Sequence, residues 1–362
     1  MPKVVAFLGN DIEPTAYAIA QGHAQAGQKT LILVPTPGIR FKYLCGSEFT
    51  QEPTPLTQNL DIVELRAIHS LGGAWDELRK LIRDYVPADV LGSEVYAGEL
   101  MVLPGMDLFL TLNALRQHYQ SGAYDVLVYA GADPTTTLRF IGLPHAVAWY
   151  YRRFGGILED LDPVKIANAM GGPIATALLA ANFDPQKFST ALSQGKEWVA
   201  KGLRAVADPQ QLQVYLVTTP DPIAIKQVQW LWGASQQVQV PIAQVLVPMI
   251  NPAAIEDITA AFSPLAVQGL RGNDRGLVDV ASLPNLDTPL KAPPCQDIDV
   301  SQRQIKVFLP GLAKQDVKLT QFNGEITIEA ADQRRHIQLP PELQNQPVTA
   351  GKFEAPYLVI SF

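Results

Sequence analysis

The stretch Gly9-Asn10-Asp11-Ile12-Glu13-Pro14-Thr15-Ala16 follows an apolar run and opens a helical one. A glycine turn in that place can cradle phosphate if three things are present. Backbone N–H groups must converge on the anion, a lysine must neutralise the β and γ oxygens, and a Ser or Thr hydroxyl must hold Mg²⁺. Thr15 and Ala16 stand where the lysine and the hydroxyl belong. Asp11 and Glu13 lie just ahead of a helix N-terminus, where the positive end of the dipole would otherwise draw an anion. These carboxylates are expected to satisfy the helix end themselves, and Pro14 suits the first helical position. Residue chemistry favours a strand-turn-helix joint with no ligand over a working phosphate cradle.

Other reactive side chains form no recognisable constellation. The histidines, His23, His69, His118, His145 and His336, show no metal-ligand spacing, so no metal site is expected. Cys45 and Cys295 lie far apart and form neither a CxxC site nor a disulfide framework, which implies a reducing, cytoplasmic setting. No GxSxG or Cys/His arrangement marks a nucleophile. Arg40, Lys42 and Arg139 fall in or near loops at the sheet end and read as solvated or salt-bridged. Asp61 and Glu64 flank an apolar pair and read as strand-edge solvation. Tyr150–Arg153 reads as an amphipathic helix end and Gly171-Gly172-Pro173 as a helix break.

Composition narrows the classes. The 362 residues are 47% apolar and 17% charged, below the usual ~25% charged share, which leaves apolar surface for a partner. The net charge of −7 and the absence of a basic run give no electrostatic footprint for nucleic acid. No apolar run approaches the ~20 residues of a membrane span. A strand beginning at Lys3 leaves no room for a leader peptide.

The elements that must position the turn alternate along the chain. Strand-like runs at Val4–Leu8, Thr30–Val34, Ile62–Leu65, Val126–Tyr129, Leu212–Val217 and Val245–Val247 are separated by helical stretches near 14–26, 74–85, 107–121, 135–153, 221–234 and 252–261. Several runs are apolar throughout, as parallel strands covered on both faces must be. This predicts a doubly wound α/β domain over residues 1–280. Ligands of such sheets bind beyond the strand carboxyl ends, here at 9–15, 35–42 and 130–137. Residues 66–121 and 145–205 interrupt the alternation and predict an inserted helical subdomain. A proline-rich linker at 281–295 then leads to short alternating runs over 296–362, a small antiparallel β domain with a hairpin signal at Phe322-Asn323-Gly324.

Four stretches carry a family resemblance. "VVAFLGNDIEPTAYAIAQGHAQAGQKTLIL", "ELMVLPGMDLFLTLNAL", "YDVLVYAGADPTTTLRFIGLPHAVAWYYRRF" and "VYLVTTPDPIAIKQVQWLWGASQQVQVPIAQVLVPMI" resemble, in order, the segments of the ArsA/Get family of P-loop ATPases, arsenite-pump ATPases and tail-anchored-protein targeting factors. The match covers residues 1 to about 270. The C-terminal runs look like an α-crystallin (small heat-shock) domain, so the whole chain resembles the crystallin-bearing cyanobacterial and plastid subfamily. The resemblance implies a P-loop NTPase-like sheet with a β-sandwich appended, and a homodimer.

Carried over residue by residue, the family's ATPase machinery is missing. Its signature lysine falls at Asn10, its phosphate lysine at Thr15 and its magnesium Thr at Ala16. Its water-orienting Asp falls near Thr36, its next Asp at Ala130 with Asp133 three places late, and its adenine-facing Asn at Pro248. The turn residues Gly9, Asn10, Asp11, Thr15 and Ala16 are therefore expected to be vestigial, with no catalytic residue and with Mg·ATP disfavoured. Two apolar sets in the helical subdomain are the better site: Val90, Leu91, Leu100, Met101 and Val102, and Ile166, Met170, Ile174, Leu178 and Leu179. They read either as ordinary core or as a groove for an apolar or tail-anchored client segment, and methionines suit adaptable binding faces. Two rivals stay open: an active anion- or client-coupled ATPase, and a module binding another small ligand at the sheet end.

Overall fold

In a computed structural model, the chain is described over residues 2–82, 97–103, 105–131, 133–159, 185–250, 255–273, 276–286 and 293–362. The apolar runs become an eight-stranded sheet of order β3-β4-β2-β5-β1-β6-β7-β8. Its strands are β1 (Lys3–Gly9), β2 (Thr30–Pro35), β3 (Thr54–Thr57), β4 (Leu60–Leu65), β5 (Val126–Tyr129), β6 (Leu212–Val217), β7 (Ile242–Val247) and β8 (Val267–Gly269). From β2 to β8 every neighbouring pair is parallel. β3 pairs antiparallel with β4 at one edge. β3 was not anticipated, because "TPLT" is short, contains a proline and lacks an apolar run. A proline is tolerated there because an edge strand need not donate to a neighbour.

The continuous apolar character of β1, β2, β5 and β6 is explained by burial on both faces. Val5, Leu8, Leu31, Ile32, Val126, Val128, Val214 and Leu216 are all fully enclosed. α1 (Ile12–Gln25) follows β1 across the glycine turn and packs Ala16, Ile19 and Ala20 onto one face. Because β5 lies between β2 and β1, the loops after these three strands meet at one end of the sheet.

The other α-helices among the described residues are α2 (Ile39–Cys45), α3 (Ala67–Ile82), α4 (Met106–Ser121), α5 (Pro134–Glu159), α6 (Pro185–Ala207), α7 (Pro222–Gln237) and α8 (Glu256–Phe262). The described chain divides into two compact units. One holds Met1–Glu64, His118–Gly142 and Ala205–Phe362; the other holds Leu65–Gln117 and Leu143–Arg204. In the second unit α3 and α4 are joined by Arg116, whose Nη2 donates to Glu77 at 2.9 Å. α6 approaches α5 closely there, since a Cβ on Gly202 would lie 3.0 Å from Pro144.

The C-terminal strands form a four-stranded sheet, β14-β15-β10-β9, and a three-stranded one, β11-β12-β13. They span β9 (Gln296–Asp299), β10 (Gln304–Phe308), β11 (Lys318–Phe322), β12 (Glu325–Ala330), β13 (Gln333–Gln338), β14 (Ala350–Glu354) and β15 (Tyr357–Ser361). The Asn323-Gly324 pair closes the β11–β12 hairpin with φ of 49° and 71°, the primed turn that its sequence specifies. The next hairpin uses Ala331 and Asp332 at φ 51° and 55° without any glycine.

This β module packs on α7 within the first unit. Trp232 meets Phe308 edge to face with ring centroids 5.5 Å apart. A Cβ on Gly233 would lie 2.6 Å from the Pro310 carbonyl oxygen, and one on Gly311 would lie 2.3 Å from that of Gln229. Arg335, 2% exposed, donates to the carbonyl oxygens of Gln236 at 3.1 Å and Cys295 at 3.3 Å, and to Gln296 Oε1 at 2.7 Å. Burial lowers the pKa of that guanidinium. Arg139 on α5 pairs with Asp332 in the β12–β13 turn.

Candidate functional site

Gly9 ends β1 at φ 139°, a backbone region that side chains rarely enter. A Cβ there would sit 1.9 Å from the Val217 carbonyl oxygen on the neighbouring strand. Asn10 N donates to that same oxygen at 3.0 Å, and Asn10 Nδ2 donates to Gln227 Oε1 at 3.2 Å. The turn is thus pinned against β6 and α7 by its backbone. Asp11 follows in the left-handed region at φ 50° and occupies the N-cap of α1.

The expected capping does not occur. Asp11 makes no side-chain bond to the helix end. Its carboxylate is drawn sideways to Arg40, whose Nη1 lies 2.8 Å from Asp11 and 3.4 Å from Glu13 Oε2. The guanidinium in the first turn of α2 competes successfully with the weakly charged helix end. The bond to Asp11 raises the Arg40 pKa. Because Arg40 is half exposed, each ion pair contributes at most about 1 kcal/mol. α1 starts at Ile12, so Pro14 is its third residue, still within the turn whose N–H groups have no helical acceptor.

Thr15 and Ala16 are fully buried, and Thr15 Oγ1 has no hydrogen-bond partner among the described residues. Thr36 is exposed at the end of β2, and Ala130 is buried with its N–H bound to the Leu33 carbonyl at 3.1 Å. Asp133 caps α5, accepting from Thr136 N at 2.6 Å. Beside it, burial pushes the Tyr129 hydroxyl up to about 12, partly offset by its bond to Thr137. Pro248 is buried. The loops carrying Gly9–Ala16, Thr36 and Ala130–Asp133 therefore do converge. The three cations expected in or near the sheet-end loops lie instead on helices, Arg40 and Lys42 on α2 and Arg139 on α5. Each is paired: Arg40 as above, Lys42 with Glu48 at 2.8 Å, and Arg139 with Asp332.

Glu64 corrects the strand-edge reading. It is 4% exposed, and its Oε1 accepts the Gly38 N–H at 3.0 Å. A carboxylate in such a buried hydrogen bond is worth about 1.5–3 kcal/mol. Asp61 is likewise engaged, accepting from the Tyr124 hydroxyl at 2.8 Å. Nothing in local spacing signals the Glu64 contact, because its partner is 26 positions away.

Of the apolar sets, Val90, Leu91, Ile166, Met170, Ile174, Leu178 and Leu179 lie outside the described residues, as does Gly171–Pro173. Leu100 and Val102 are half-buried, and Met101 is 79% exposed. The sequence missed their exposed company in the second unit: Leu103, Phe109 and Trp198, the last 63% exposed. Tyr150 and Phe154 stack at 5.9 Å, both exposed on α5. No group of three or more potential metal ligands occurs among the described residues. None of the described helices is long and apolar enough to cross a membrane.

Comparison with known proteins places this geometry in context. A family model described as "Anion-transporting ATPase" matches residues 14–264, and one described as "HSP20-like domain found in ArsA" matches 300–362. A putative arsenical pump-driving ATPase 1 of Aquifex aeolicus is 20% identical over 99% of both chains. A putative arsenical pump-driving ATPase of Chlorobaculum tepidum is 24% identical over 94% of this chain and 90% of its own. An ATPase ASNA1 homolog of Babesia bovis is 30% identical over 43% of this chain and 39% of its own.

Proposed function

The chain belongs to the anion-transporting ATPase family, and from that premise we propose that it is a degenerate member that binds apolar client segments with little or no ATP hydrolysis. The observation that carries this reading is the closed turn. Where a triphosphate would rest, Arg40 is engaged by Asp11 and Glu13. Magnesium triphosphate, the ligand the family implies, does not suit the residues present. Asp11 and Glu13 repel phosphate, and Thr15 and Ala16 supply neither the lysine nor the accessible hydroxyl for the metal. Losses of charge stabilisation of this kind cost orders of magnitude in rate.

The client reading draws on the second unit. Met101, Leu103, Phe109 and Trp198 expose large apolar side chains there, and they serve a client only if they act as one surface. Methionine adapts to varied partners at little cost. The resemblance to targeting factors points to an apolar helical segment as the client and to a homodimer working in the cytoplasm. We read the chain as an ATPase-type domain over 1–280, with helical insertions near 66–121 and 145–205, a linker at 281–295 and a β domain over 296–362.

The rival reading, an active anion- or client-coupled ATPase, takes its support from the names of the relatives. Two assays on the full chain separate them. Phosphate release from Mg·ATP should not exceed the protein-free rate. A fluorescent apolar helical peptide should bind, and Met101→Asp with Trp198→Asp should weaken it roughly tenfold or more, the effect of losing two buried apolar contacts. Sustained phosphate release would favour the rival, and peptide binding unaffected by the double substitution would refute the client surface.

A further inference from the structure

The ion pair that closes the turn depends on where α2 begins. α2 is only seven residues long, and Gly38 at its N-cap has no side chain to anchor it. Its N–H is instead held by Glu64 from the adjacent strand β4, at 3.0 Å in a buried bond. Glu64 is itself fixed, its N–H donating to the Thr50 carbonyl at 2.8 Å. The site admits little else: a Cβ on Gly38 would touch the Phe49 ring at 3.0 Å and Val34 at 3.3 Å. The Gly38 carbonyl then accepts from Lys42 N at 3.0 Å and starts the helix. Arg40 stands two residues beyond the anchored amide, and its guanidinium reaches Asp11 at 2.8 Å.

We infer that Glu64 is a positioning residue that holds the turn closed, acting through Gly38 and Arg40. The inference rests on the closed-turn reading above and adds the group that sets it. Glu64 bonds the Gly38 amide, two residues short of Arg40, which in turn pairs with Asp11 and Glu13. It fixes the backbone from which Arg40 reaches both, so the internal occupant of the turn is set from β4 rather than by the turn itself.

The test is the reactivity of the Arg40 guanidinium toward phenylglyoxal, located by mass spectrometry in the full chain without nucleotide. Arg303 in the β module serves as the internal reference. Glu64→Ala should raise Arg40 modification about two- to fivefold relative to Arg303, the free fraction released when an exposed ion pair of up to about 1 kcal/mol is lost. Glu64→Asp, which keeps the charge but draws the carboxylate back by one methylene, should do the same and decides the matter if the alanine variant fails to fold. Glu64→Gln retains an acceptor and should stay near wild type. Adding Glu64→Ala to Asp11→Asn with Glu13→Gln should give no further increase, because Arg40 is already released. A folded Glu64→Ala or Glu64→Asp protein with unchanged Arg40 reactivity, or an additive effect, would overturn the inference. Failure here leaves nucleotide binding unaddressed, and nucleotide binding by the wild type would count against the closed-turn reading instead.

Discussion

The turn after β1 and the seam between α7 and the β module both bring backbone against backbone, yet they use side chains in opposite ways. At the seam, Gly233 and Gly311 allow close approach, Trp232 and Phe308 fill the gap, and Arg335 is enclosed with three oxygen acceptors. At the turn, Gly9 allows an equally close approach to Val217, but the side chains above it are a half-exposed charge cluster. The contrast teaches that a glycine opening a strand-turn-helix joint can be required on steric grounds. Backbone geometry is fixed in both places, while the enclosed side chains of the seam should carry more stability than the half-exposed charges of the turn.

The sharpest way to break this comparison is to empty the seam. Trp232→Ala should destabilise the protein by about 3–5 kcal/mol in denaturant titration, the cost of removing a large buried aromatic. A loss below about 1 kcal/mol would mean the module rests on α7 without being packed to it. Next come the two glycines. Gly9→Ala and Gly311→Ala should each cost about 2–4 kcal/mol, since each places a Cβ against a carbonyl oxygen at positive φ. A tolerated Gly9→Ala would return that glycine to a ligand role.

A pH experiment reads the neighbouring loop. Tyr129 has a folded pKa of about 12 against 10.0 when unfolded, chiefly through burial. A raised acid pKa contributes stability that is intact below pH 10 and lost as pH rises towards 12. That loss amounts to about 2–3 kcal/mol at most. Burial raises Tyr124 and Tyr215 as well, so Tyr129→Phe should remove only part of the alkaline decline. The smallest effect is expected for Arg40→Ala, within about 1 kcal/mol in the same titration, because its ion pairs are half exposed. A larger loss would show that the charge cluster carries fold stability and would blur the contrast with the seam.

Much of the architecture was legible because it rests on local pattern. Val126–Tyr129 and Leu212–Val217 are apolar at every position or nearly so, and only strands covered on both faces tolerate that. Asn323-Gly324 announced its hairpin because few residues accept two positive φ angles in succession. Ala331-Asp332 adopts the same turn with no such signal, one of its residues being held by Arg139 far away in sequence. The candidate site was half legible. That neither a lysine at 15 nor a hydroxyl at 16 is present is read from the residue types alone. The destination of the Asp11 carboxylate and the burial of Glu64 were not readable, because both depend on the placement of the 36–38 loop and the start of α2 by tertiary contacts. The second unit's exposed Phe109 and Trp198 sit in helices whose apolar positions look like ordinary core until their burial is known.

The central claim is that the turn accepts no magnesium-bound triphosphate. Isothermal titration of the full chain with ATP, in the presence and absence of Mg²⁺, tests it directly. The account predicts no saturable heat under either condition. Saturable binding that requires Mg²⁺ would contradict it, because the metal would then have found ligands in a turn where Asp11 and Glu13 are committed to Arg40.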